Sequence, residues 1–157
     1  MKKLLLPFLL LFSICFSQLV NAQVSVTASA GTTGPTAYTT LKGAFDAVNA
    51  GTHQGTITIT ISANTTETAV ASINASGSGS SSYTSVTVRP AASTNVVVSG
   101  SLNSGPIVKL NGSNNVTIEG SNNGSTSRNL TIQNTSTVSS NVLQVGSVST
   151  TPISNAT

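Results

Sequence analysis

Apolar and polar residues alternate along this chain in short bursts, each closed by glycine or asparagine. The phrase Asn95-Val96-Val97-Val98-Ser99-Gly100 returns as Asn115-Val116-Thr117-Ile118-Glu119-Gly120 and again as Asn129-Leu130-Thr131-Ile132-Gln133-Asn134. A period of two places successive side chains on opposite faces of a strand, so each phrase predicts a strand of about four residues. The closing residue tolerates left-handed backbone angles and lets the chain bend. The same alternation at Val24, Val26 and Ala28 predicts a first strand over Gln23 to Ala30, broken by Gly31 to Pro35.

A single segment changes to a helical period. Leu41, Ala44, Phe45 and Val48 fall at i, i+3, i+4 and i+7 and form one apolar stripe. Thr39 or Thr40 is placed to cap its start and Gly51 to end it, while Gly43 weakens it by about 1 kcal/mol relative to alanine. So short a helix must lay its stripe on something. The strand that follows, Thr56 to Ile61, presents Ile57, Ile59 and Ile61 on one face and is the predicted partner.

Beyond the helix the strands sort into two interleaved lines. One line holds Ile57–Ile61, Val86–Val88, Ile107–Leu110 and Leu130–Ile132; the other holds Val70–Ile73, Val96–Val98, Val116–Ile118 and Val142–Val145. Members of a line sit roughly 20 to 27 residues apart, a solenoid-like period that leaves room for a third, shorter strand or turn in each rung. Ala75 to Tyr83, with Gly77, Gly79 and a run of serines, reads as a loop extruded at one corner. A β-sandwich also has short strands at close spacing. Against it stand the near-unchanged repetition of the phrase and the lack of a two-residue Asn-Gly turn between strands, since Ser113-Asn114 lengthens the connection at Asn111-Gly112.

The helical segment Tyr38 to Ala50, the glycine after it and the strand Ile57 to Ile61 resemble the capping helix and first coil of a right-handed parallel β-helix of the pectin-lyase-like superfamily. The phrases Asn115–Gly120 and Asn129–Asn134 resemble its stacked rungs. The N-terminal leader, the start at Gln23 and the Ser/Thr/Asn-rich rungs resemble the opening of long secreted surface proteins of the Bacteroidetes style. The resemblance implies an all-β fold, a right-handed parallel β-helix with a short N-terminal capping α-helix near 39–50, over residues 23–157. It covers Tyr38 to Gly146 and rests on pattern and composition, without a catalytic motif. The bare strand edge expected at the end of such a column predicts that the protein continues past Thr157.

Composition changes the picture in three ways. Met1-Lys2-Lys3 followed by the apolar run Leu4 to Phe16 and the small-residue exit Val20-Asn21-Ala22 predicts a secretory signal peptide over 1–22, hence a secreted protein, extracellular or at the cell surface. The run is too short for a transmembrane span, so none is expected in the mature chain. Cys15 is the one cysteine and lies in that leader, which leaves the mature chain neither disulfides nor thiolate metal ligands; Ile14 before it argues against lipid attachment. The formal charge of +3 loses Lys2 and Lys3 with the leader. Lys42, Arg89, Lys109 and Arg128 then stand scattered against Asp46, Glu67 and Glu119, and no nucleic-acid partner is expected. Charged residues are only 6% of the chain, so hydroxyls and amides carry its solubility.

Candidate chemistry is sparse. Polysaccharide lyases and hydrolases need several ionisable groups converging on one face, as calcium-binding carboxylates with an Arg base or as paired acids. Here Asp46 falls on the helix, Glu67 in a turn and Glu119 at a strand end. Glu119 with Arg89 or Arg128 is the one pair worth drawing, and a solvated rung-edge ion pair describes it as well as a sugar site does. His53 after the helix reads as a turn residue, and Gly77-Ser78-Gly79 lacks the frame of a nucleophile elbow. No catalytic, cofactor-binding or metal-binding residue is assigned, and no cofactor. Asn95 and Asn115 are expected to stack in neighbouring rungs through their amides. Thr56, Thr58 and Thr60 face away from the isoleucines as a hydroxyl array of the kind ice-binding solenoids repeat in every rung, but in the sequence it occurs once. Two functions stay open. One is a secreted, non-enzymatic structural or adhesive module whose Ser/Thr/Asn flank contacts glycans. The other is the N-terminal cap region of a polysaccharide lyase or glycoside hydrolase with its catalytic rungs beyond residue 157.

Overall fold

The computed structural model describes residues 22–138, 141–147 and 157. The predicted leader lies outside them except for Ala22, as does most of the tail after Gly146. Among the described residues the chain is β-structure with a single helix, organised as three separate sheets. The first contains β1 (Val24–Gly31), β2 (Thr36–Tyr38), β3 (His53–Ile61), β6 (Tyr83–Pro90) and β9 (Val116–Ile118), in the order β2-β1-β3-β6-β9. The second orders β10 (Leu130–Asn134), β7 (Val96–Gly100) and β4 (Thr65–Glu67), and the third β11 (Leu143–Gly146), β8 (Val108–Asn111) and β5 (Ala71–Asn74).

This corrects the expected right-handed parallel β-helix. The largest sheet is mixed, because β1 runs antiparallel to both β2 and β3. The other pairings are parallel, and the first follows the expected line, Ile57–Ile61 beside Val86–Val88, but the rest do not. Val116–Ile118, placed with Val96–Val98 on the sequence pattern, pairs instead with Val86–Val88. Leu130–Ile132 pairs with Val96–Val98. In-register partners on neighbouring parallel strands lie 28 to 37 residues apart, beyond the expected period of about 20 to 27. The cause is β4. It reads Thr-Thr-Glu, without an apolar residue, and buries Thr65 and Glu67 while Thr66 faces out. A strand written in polar letters escapes a search for hydrophobic alternation, and without it two lines are drawn where the chain builds three sheets.

Local chemistry explains the elements. The helix α1 (Leu41–Asn49) starts at Thr40, which has an extended backbone and whose hydroxyl accepts the Gly43 N–H. It ends where Gly51, at φ 75°, sends its N–H to the Val48 carbonyl and Thr52 sends its own to Ala47. Leu41, Ala44, Phe45 and Val48 are buried, as the stripe predicts, and α1 packs against β5 as well as β3. The core lies between the three sheets, filled by Ile57, Ile59 and Ile61 from β3, Val86 and Val88 from β6, Val98 from β7 and Ile73 from β5. At its far end Leu110, Ile118, Ile132, Leu143, Val145 and Thr157 line an apolar cavity of about 280 Å³. Among the described residues no helix is long and apolar enough to cross a membrane.

Candidate functional site

Strands that pair in register stack like positions side by side, and in the first sheet this assembles a row of threonines. Thr27 of β1 lies beside Thr58 of β3, Thr58 beside Thr87 of β6, and Thr87 beside Thr117 of β9. Their neighbours Val26, Ile57, Ile59, Val86, Val88 and Val116 are buried, so the pleat turns the four threonines outward. Thr27 is exposed and the other three are half-buried by one another's flanks. None of the four hydroxyls takes part in a hydrogen bond among the described residues, which leaves donors and acceptors facing solvent. Adjacent strands lie about 4.8 Å apart, so the row extends about 14 Å. The triplet Thr56-Thr58-Thr60 itself occurs once, but its central threonine is continued by one threonine on each of three neighbouring strands.

The flanking rows are less uniform. Ser25, Thr60 and Arg89 form one of them, with Glu119 one residue past β9. Thr56 and Ser85 form the other, where Ser29 Oγ accepts the Thr56 N–H at 2.9 Å. No aromatic ring faces outward here, since Tyr83 is buried and Tyr38 stands at the edge strand β2.

The ionisable residues considered from the sequence do not assemble a site. Asp46 pairs with Lys42 along the helix, the only ion pair among the described residues, so Glu119 holds neither Arg89 nor Arg128. Glu67 is not in a turn but in β4 and is 1% exposed. Its two carboxylate oxygens accept the N–H groups of Leu41 at 2.9 Å and Lys42 at 3.0 Å, satisfying the free donors at the start of α1. His53 is likewise no turn residue; it opens β3, fully buried. Its Nδ1 faces the Thr32 carbonyl at 2.6 Å and so carries the proton, which leaves Nε2 to accept the Tyr38 hydroxyl at 2.8 Å. Glu67 thus ties the second sheet to the helix, and His53 ties β3 to β2 and to the turn after β1 within the first sheet. Among the described residues no three His, Cys, Asp or Glu side chains gather where a metal could bind.

Asparagine stacking occurs with different partners from those expected. Asn129 Nδ2 donates to Asn95 Oδ1, and Asn111 Nδ2 donates to Asn74 Oδ1 at 2.9 Å, while Asn49 Oδ1 accepts the Asn74 N–H. Asn115 instead takes a left-handed φ of 56° and donates to the Thr84 carbonyl. Side-chain amides thus tie neighbouring strands of the second and third sheets, and the outward threonines belong to the first. The signal that locates the row was present in the alternation Thr56-Ile57-Thr58-Ile59-Thr60 and Thr87-Val88, but only the register shows that the threonines meet.

Family models, curated proteins and solved structures were each compared with the chain, and none gives a match. With the mixed sheet, this withdraws the resemblance to the pectin-lyase-like superfamily and to Bacteroidetes-style surface proteins.

Proposed function

We propose that this protein is an exported, non-enzymatic adhesive module that holds extended surface polymers on the threonine face of its first sheet. The observation that carries this is the in-register row Thr27–Thr58–Thr87–Thr117, with hydroxyls unused by the fold. Export rests on the leader sequence, a basic start followed by an apolar run and a small-residue exit. A non-enzymatic role is supported by where the acids stand: Asp46 on the surface of α1, Glu67 spent on the helix start and Glu119 beyond β9. Binding through single hydroxyls is weak, and only many acting together on one polymer give useful retention.

Retention of the full chain on a cell-wall and host-glycan preparation tests this. Thr58→Lys and Thr87→Lys, each placing a long charged side chain on the row, are expected to abolish retention while leaving the melting temperature within a few degrees. Ser72→Lys, on the outer side of β5 in the third sheet, is the control expected to retain wild-type binding. Equal retention of all three variants would contradict the assignment of this face.

A further inference from the structure

Resting on that adhesive reading, we infer that the row binds one extended, uncharged polysaccharide chain lying across the strands. Uniformity runs in one direction only: the row itself is all threonine, whereas the flanking rows change from serine to threonine to arginine and from threonine to serine. A one-dimensional repeat fits a linear polymer. A two-dimensional lattice such as an ice face demands regularity in both directions. Steps of about 4.8 Å between hydroxyls are of the size of one sugar ring in an extended chain, so each threonine meets one sugar and the row spans about four.

Charge and ring chemistry narrow the polymer further. The row carries no charge, and the nearest ionised groups, Arg89 and Glu119, have opposite signs and stand in one flank. An anionic polymer finds no net positive field there. Without an outward aromatic ring, no single sugar gains the stacking contact that fixes a monosaccharide. Affinity must therefore accumulate along the chain, and the ligand is a polymer of hydroxyls in which every residue contributes a little.

Titration of the full chain with neutral β-linked glucose and N-acetylglucosamine oligomers of two to six units, in low and high salt, tests the inference. Affinity is expected to climb with length to about four units and then level off, unchanged by salt. Thr58→Val and Thr87→Val keep the branched shape and remove one hydroxyl each, and each is expected to weaken the longest oligomers about two- to tenfold. Saturation at a single sugar, or preference for a carboxylated oligomer that fades with salt, would overturn it. So would depression of the freezing point in place of oligomer binding. If the neutral oligomers fail while Thr58→Lys still abolishes retention on the mixed glycan preparation, the uncharged-polysaccharide assignment falls and the adhesive reading stands. If Thr58→Lys changes neither, both fall.

Discussion

At the scale of single residues, two buried polar groups do structural work that their charge alone would not suggest. Glu67 sits inside the fold because the first turn of α1 offers it two N–H donors, which a helix start leaves without partners. Glu67→Ala should therefore lower unfolding stability by about 1.5–3 kcal/mol in urea titrations, whereas Glu119→Ala should stay within about 0.5 kcal/mol. Tyr83 donates its hydroxyl to the Asn74 carbonyl at 2.6 Å across the serine-rich loop, and burial pushes its pKa up to about 12. A folded-state value above the unfolded one near 10 means the neutral phenol favours the fold. That contribution is complete below pH 10 and is lost as pH rises towards 12. Phenolate absorbance should show this tyrosine ionising two units late, together with the onset of alkaline unfolding; ionisation at pH 10 in the folded protein would contradict it.

At the scale of elements, the sequence was legible where one rule acted alone. The apolar stripe Leu41-Ala44-Phe45-Val48 and its Thr40 and Gly51 boundaries located α1, and the isoleucine alternation located β3. Legibility failed at β4, because a buried glutamate looks like a turn until the helix that satisfies it is in place. It failed again for the asparagine pairs, since which amide meets which depends on register and not on the phrase around it. The β4–β7 contact also explains a glycine. A side chain at Gly100 would meet the Glu67 carbonyl oxygen at 2.6 Å and the Ile107 Cδ1 at 2.9 Å, so only hydrogen fits. Gly100→Ala should lower the melting temperature by several degrees, while Gly120→Ala, with open space around it, should leave it nearly unchanged.

At the scale of the whole molecule, three sheets with different pairing partners surround one core and so present three outer faces of different character. Amide ladders and backbone-capping asparagines occupy the second and third, and among the described residues the first alone offers a straight row of unused hydroxyls. The antiparallel β1 is part of that site as well as of the fold, because it supplies Thr27 at one end of the row. A reading confined to local phrases found one threonine-bearing strand; long-range register multiplied it into a surface.

The most direct measurement is an NMR titration of the full chain, labelled at its threonine methyl groups, with a neutral oligosaccharide of about six units. Thr66 of β4 and Thr131 of β10 face outward from the second sheet and serve as internal references. Thr27, Thr58, Thr87 and Thr117 should shift together, with one common affinity, while Thr66 and Thr131 hold still. Shifts confined to Thr66 and Thr131, or no movement of the four-residue row, would contradict a ligand-binding threonine face.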